Sequence, residues 1–440
     1  MEKNTRHRIV LVSLIMAGLV IRSILAPYTT GSDIAQFAGF ADTFLRHGIC
    51  FYKYSGSASF IAENWPYDWP YVYGPPLILF LGLLRLFVHD KVIHYYDTLG
   101  HYYVYVPVNW IVACKALFIL FDTLSAIMVY LIIKRITGRA SKALLGMTVY
   151  YFNPMTIYVS SIYGMFDPIA FFFLLASLYF IINNKRILGA LSMGLSLVIK
   201  QTMLFPTIYY LLYTLRSDGI KRSIRDAVLI VLPGIVFMVP FMLCPRSMDV
   251  FLEDLKMVSN PSYTYPISYS FNGFSSLATY LNSISGSNTL WVIKYWFVPA
   301  LLLTIVYVFV LARKGGDPLL SIVIGYLVYI ATYWRINAQY LLPAIGLLAV
   351  AFFHPLITGR ARIAVAASIF LIGFWPIMFP TSWWAHVHIR SPNMLIWRLL
   401  DFFSLMVFDR LYYVCYSILL TLTLYVTIIT LISRIHRRII

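Results

Sequence analysis

The side chains able to do chemistry gather in a few short stretches. Between Tyr28 and Leu84 lie Asp33, Asp42, His47, Glu63 and Asp68 among many aromatic residues, in a chain of 440 residues with 17 acidic ones. Farther on come Asp167 in SSIYGMFDPIAFFF, Lys200 at the end of ILGALSMGLSLVI with Gln201 after it, and Arg335 in YWRINAQYLLP. Each adjoins an apolar run. Ionisable groups at membrane depth are costly, so each is a functional candidate by default.

Every candidate has a structural reading beside the chemical one. Around Asp33, Ile34, Phe37, Phe40 and Phe44 recur at helical spacing, so Ser32-Asp33 reads as a helix start. There Asp33 is either a cap, worth about 1 kcal/mol, or a general base, which needs a carboxylate within reach of an acceptor hydroxyl. Asp42, two and a half turns on, points elsewhere and reads as structural. Asp68, in WPYDWPYVYGPP, is a turn residue or a second carboxylate for sugar hydroxyls or an ion, with Tyr73 a substrate-binding candidate in the same turn. Asp167, before Pro168, caps a helix and faces the same surface, so capping and substrate binding are compatible. Lys200 closes a run that reaches about 20 Å at 1.5 Å per residue, against about 30 Å of hydrocarbon. Its ammonium either snorkels or meets a lipid phosphate, to which it is suited as a point donor. Arg335 is the second phosphate candidate, with Asn337, Gln339 and Tyr340 as polar, substrate-binding neighbours.

Motifs of soluble chemistry are absent: no Walker loop, no G-x-G-x-x-G opening a helix, no G-x-S-x-G and no H-E-x-x-H pair. His89, His94 and His101 fit no standard zinc spacing. Neither a metal nor a cofactor is expected.

The elements that must position these residues are apolar helices. Hydrophobic residues make up 60% of the chain and charged residues 12%, against about 25% charged in soluble domains. This is an all-α polytopic membrane protein, read as a single membrane domain over 1–440. A net charge of +17 does not imply nucleic acid, because Lys and Arg are spread in twos to fours between apolar runs. Seven such clusters hold 20 of the 34 basic residues. Cytoplasmic loops are enriched in Lys and Arg, so an even number of crossings should separate neighbouring clusters. That condition lays Pro75–Val88 on the outer surface as an interfacial or re-entrant helix and splits Ile187–Leu215 at Lys200 and Gln201. About 12 spans result, near 9–27, 111–133, 143–162, 167–183, 187–199, 203–215, 227–243, 291–312, 318–333, 341–353, 363–379 and 411–433. Both termini are then cytoplasmic. The outer segments are 28–110, which carries the active-site residues, 244–290 and 380–410. Cys50 and Cys244 both fall outside, compatible with one disulfide.

At these residues the chain resembles the GT-C superfamily of glycosyltransferases that use polyprenyl-phosphate sugars, as in GPI-anchor and N-glycan assembly and their prokaryotic relatives. The likeness rests on GSDIAQFAGFADTFLRHG, YVYGPPLILFLGLL, KALFILFDTLSAIMVYLI, and NPMTIYVSSIYGMFDPIAFFFLLASL followed by GLSLVIKQTMLFPTIYYLL. Two features depart from the pattern. Met165 stands where those proteins carry Gln, and no second carboxylate lies two residues from Asp33, which argues against a metal-binding D-x-D site. The resemblance implies inverting transfer of a hexose, mannose or glucose, from a polyprenyl or dolichyl phosphate to a hydroxyl of a lipid-linked or surface glycan. Asp33 is then the catalytic base, and Lys200 and Arg335 bind the donor phosphate. The expected partners are that donor, a glycan or glycolipid acceptor and membrane lipids; the expected site is the outer face of a prokaryotic plasma membrane. The alternatives are a lipid-linked sugar flippase or transporter, which would line a central path with polar residues, and an oligosaccharide ligase.

Overall fold

The structure is a computed structural model describing residues 2–261, 270–286, 288–314, 316–378, 387–389, 394, 398 and 410–436. It is a helical bundle. In chain order the helices are α1 (Glu2–Leu25), α2 (Ser32–His47), α3 (Phe60–Glu63), α4 (Pro75–Phe87), α5 (Val108–Thr137), α6 (Ala140–Tyr151), α7 (Pro154–Ile157), α8 (Asp167–Ile182), α9 (Arg186–Ile199) and α10 (Leu204–Asp218). They continue with α11 (Ile220–Met242), α12 (Ser247–Ser259), α13 (Gly273–Ser285), α14 (Trp291–Lys294), α15 (Phe297–Lys314), α16 (Pro318–Thr332), α17 (Leu341–Phe352), α18 (Arg360–Met378) and α19 (Arg410–His436). Strand β1 (Thr29–Gly31) pairs antiparallel with β4 (Val387–Ile389), Thr30 opposite His388. Strands β2 (Ile93–Tyr96) and β3 (Tyr102–Tyr105) form a hairpin, Tyr95 opposite Tyr103.

Among the described residues, four stretches are long and apolar enough to cross a membrane by themselves: Thr5–Tyr28, Val108–Thr137, Ile220–Met242 and Leu411–Ile435. The protein is a multi-pass membrane protein. Helices lie along the twelve predicted spans, several of them only 10–17 residues long, such as α9 with 14. The predicted span 143–162 is interrupted. Pro154 cannot continue α6 because it lacks an amide hydrogen, so the Asn153 side chain accepts the Met155 amide (3.0 Å) and starts α7. A π-helical turn, Tyr158–Tyr163, follows. Between α9 and α10, Lys200 is extended (φ −146°, ψ 119°), where the hinge is expected. Most of the third outer segment, 380–410, lies outside the described residues.

Two helices form the centre. Every residue of α16 from Leu319 to Thr332 and of α17 from Leu341 to Ala351 is buried, whereas α1, α11 and α15 expose Ile9, Val228 and Phe309 outward. Apolar residues all round mark a buried helix, and a one-sided exposed apolar face suits contact with lipid. A disulfide joins Cys50 to Cys244, 5.2 Å apart at Cα, and so fastens the first loop to the end of α11.

Candidate active site

The site begins with a lysine inside the bundle. Lys115, fully buried in α5, donates from Nζ to the carbonyl oxygens of Ala26 (3.1 Å), Thr29 (2.8 Å) and Ile162 (2.8 Å). These bonds tie β1, which leads into α2, to the π turn that carries Tyr163. Asp33 then occupies the first turn of α2. The Tyr163 hydroxyl donates to its Oδ2 at 2.6 Å. Asp33 is not the cap: the N-cap position is Gly31, and no side chain bonds there. After Tyr163 the chain turns at Gly164, whose φ of +88° favours glycine; a Cβ there would lie 2.4 Å from Ile34 Cδ1.

The two helix breaks supply the remaining groups. Asp167 opens α8 and Lys200 follows α9, and their side chains form a buried ion pair, Nζ to Oδ2 2.5 Å. The sequence reading gives Lys200 to a phosphate and Asp167 to substrate; here each is the other's partner. The physical reason is burial, because an ammonium taken from water needs a counter-ion. Lys200 also stands 4.7 Å from the ring centres of Phe166 and of Tyr340. Tyr73 meets Phe166 edge to face at 4.7 Å. Gln201 donates to the Val72 carbonyl (2.6 Å) and pins the YVYGPP turn, while Gln36 holds the carbonyls of Tyr67 (3.1 Å) and Trp69 (2.8 Å).

Arg335 lies in the break between α16 and α17, with its guanidinium 5.4 Å from the Trp69 ring centre. It has no ion pair among the described residues. In the same two breaks, buried Asn337 Oδ1, Gln339 Oε1 and Thr202 Oγ1 lack a hydrogen-bond partner among the described residues. Asp68 is exposed at the tip of its turn and is not drawn into the group.

Charge links these side chains. Burial raises the Tyr67 hydroxyl pKa, and the Asp33 charge raises it further; the Tyr73 hydroxyl is pushed well up by burial, then by Asp33, Tyr340 and Asp167. The Asp33 charge also acts on Asp167, Lys200 and Tyr340. Asp33, Tyr73, Asp167, Lys200, Tyr340 and, through Tyr340, Arg335 thus share one neighbourhood. Two cavities lie elsewhere. One of about 510 Å³ is apolar, between Leu145, Phe152, Phe370 and Phe374; the other, about 420 Å³, lies along α2 beside Asp42. Asp33 and Lys200 line neither.

Sequence reasoning missed Tyr163 and the positioning role of Lys115. It also missed Arg22, which is fully buried and paired with Asp122 at 2.7 Å. Tyr150 donates to the other oxygen of Asp122 (2.6 Å) and Arg22 to the Tyr151 carbonyl (2.8 Å). An arginine inside the first apolar run was the available signal. Asp42, read as structural, forms a two-point pair with Arg85 (2.6 and 3.0 Å).

Among known proteins, GPI mannosyltransferase 1 of Kluyveromyces lactis is 26% identical over 188 residues. That stretch is 42% of this chain and 38% of the relative, so the chain matches well under half of that protein's length. Two crystal structures of ArnT from Cupriavidus metallidurans, apo and bound to undecaprenyl phosphate, are each 14% identical, with TM-scores of 0.49 and 0.47. They cover 97% and 96% of this chain and 77% of theirs. The profile of glycosyltransferase family 87 matches residues 95–332, more than half of the chain. The protein belongs to glycosyltransferase family 87, in agreement with the resemblance to membrane glycosyltransferases read from the sequence.

Proposed function

We propose that the protein transfers a hexose, mannose in the first place, from a polyprenyl- or dolichyl-phosphate donor to a hydroxyl of a lipid-linked or surface glycan, with inversion. The name of the yeast relative supports mannose, and the GT-C resemblance supports the donor. Asp33 takes the proton from the acceptor hydroxyl as its oxygen bonds to the anomeric carbon. The bond from that carbon to the phosphate oxygen breaks, and its electron pair leaves on the phosphate. Arg335 receives that growing charge, with Lys200 beside it, held by Asp167. Tyr73, Gln201, Asn337, Gln339 and Tyr340 surround the sugar and phosphate, and Asp68 meets the acceptor from the rim. About twelve crossings put this end of the bundle outside a prokaryotic plasma membrane, with both termini in the cytoplasm.

One observation carries the reading. Asp33 from the first loop shares a neighbourhood with cationic groups from two helix breaks, and those breaks hold buried oxygens lacking donors among the described residues. An unsatisfied buried oxygen costs about 1–3 kcal/mol, so a polar ligand there would satisfy groups that the described residues leave without a partner. The test is sugar transfer by the purified protein from labelled polyprenyl-phosphate mannose and polyprenyl-phosphate glucose. Asp33→Asn should lower the rate by about 10²–10⁴-fold and leave donor binding in place. Equal rates would remove Asp33 from the mechanism.

A further inference from the structure

On the side of α2 away from Asp33 lies a second polar site. Asp42 and Arg46 of α2, Glu63 and Asn64 at the end of α3, and Lys91 just before β2 line the cavity of about 420 Å³. Its size falls in the ~300–1,000 Å³ range of small-molecule sites. The wall carries two carboxylates and two cations, so it is balanced. An anion site needs an excess of donors and a cation site an excess of acceptors; this one offers both.

Its acidic groups are fixed in place. Arg85 holds both oxygens of Asp42 (2.6 and 3.0 Å). Glu63 is buried and accepts from Thr43 (2.9 Å), with His47 at 3.0 Å and Arg46 at 3.2 Å. Beside the opening stands the β2–β3 hairpin, anchored to the wall because Tyr102 donates to the Pro66 carbonyl and His94 Nε2 lies 3.2 Å from the Asn64 carbonyl. The hairpin presents His94, Tyr96, Tyr102 and Val104 on the face turned to the wall and Tyr95, Tyr103 and Tyr105 on the other; Tyr96 is 72% exposed on the wall-facing side.

We propose that this pocket binds a neutral saccharide, the part of the acceptor glycan remote from the reacting hydroxyl. Sugar hydroxyls both donate and accept, as the balanced wall requires, and a sugar C–H face matches the exposed Tyr96 ring. Asp42 is nine residues beyond Asp33, about 13 Å along the helix and half a turn round, so the bound unit sits outside the reacting centre. Its role as acceptor rests on the transfer reaction proposed above; the binding does not.

The experiment is saturation-transfer NMR of the full chain in detergent, with mannobiose and maltose as probes and inorganic phosphate and anionic vesicles as comparisons. Wild type should bind a disaccharide, Asp33→Asn should bind it equally, and Lys91→Gln and Tyr96→Ala should each bind it about tenfold more weakly, with thermal midpoints unchanged. The proposal is overturned if neither disaccharide binds, if Lys91→Gln and Tyr96→Ala leave binding intact, or if binding is lost in Asp33→Asn. Binding of phosphate or vesicles that depends on Lys91, without saccharide binding, also overturns it and makes the pocket a headgroup site. Saccharide binding without any sugar transfer would count against the reaction and leave the pocket standing.

Discussion

Asp33 accepts a 2.6 Å hydrogen bond from Tyr163, and that bond aims the carboxylate. Lys115 holds the chain just before each partner, through the carbonyls of Thr29 and Ile162, so the pair is set by the bundle rather than by the loop. Tyr163→Phe keeps the ring and removes the donor. The turnover number for sugar transfer should fall by about tenfold, the worth of a hydrogen bond to a charged group, while the thermal midpoint stays close to wild type. A variant as fast as wild type would show that the bond does not orient a reacting group. Asp33 itself was legible, because apolar spacing placed it at a helix start beside a membrane exit. The Lys200 partner was not. A buried ammonium must have a counter-ion, but a sequence does not say which carboxylate the fold brings to it, and Asp167 was near only in space.

At the scale of elements, close approaches decide what can move. Gly74 begins the turn into α4, and a Cβ there would lie 1.7 Å from the Val198 carbonyl oxygen, two residues before Lys200. Gly74→Ala must push the aromatic turn away from the end of α9, so we expect most transfer activity to be lost. Gly234→Ala is the control: nothing lies within 4 Å of that Cβ, and in the interior of α11 alanine should stabilise by up to about 1 kcal/mol. Comparable activity in the two variants would separate the turn from the chemistry. Helix α12 docks on the same loop through Asp254, whose carboxyl burial pushes up to about 6 despite a bond from the Ser57 backbone. A carboxyl with a raised folded pKa favours the folded state when protonated, so its contribution is present at low pH and lost as pH climbs past about 6. Asp254→Asn should therefore raise the thermal midpoint near pH 7.5, and the gap should narrow below about pH 5; a gap constant with pH would refute the assignment. The break at Lys200 and the 13-residue helix from Pro75 were readable from length and charge alone. The β1–β4 ladder was not, since it pairs residues from opposite ends of the chain through backbone groups that every residue has.

For the whole molecule the remaining question is orientation, and contacts in the structure join the loops of five of the seven basic clusters. Arg186 pairs with Asp218, Arg216 donates to the Ala312 carbonyl (2.6 Å), His354 meets Asp317 (3.3 Å) and Arg434 donates to the Thr358 carbonyl (2.9 Å). These contacts gather the loops that the distribution of Lys and Arg assigns to the cytoplasm. The Cys50–Cys244 disulfide lies in the segments assigned outside, as expected of a bond that persists in an oxidising compartment. Single reporter cysteines test the assignment, with exposed Cys415 changed to Ser and buried Cys114 left in place. Thr98→Cys sits in the exposed turn of the β2–β3 hairpin and Asn184→Cys in the exposed turn between α8 and α9. A membrane-impermeant maleimide should label Thr98→Cys in intact cells and Asn184→Cys only after permeabilisation. The opposite pattern would turn Asp33 and the helix breaks toward the cytoplasm, and the donor would then have to present its sugar on that side.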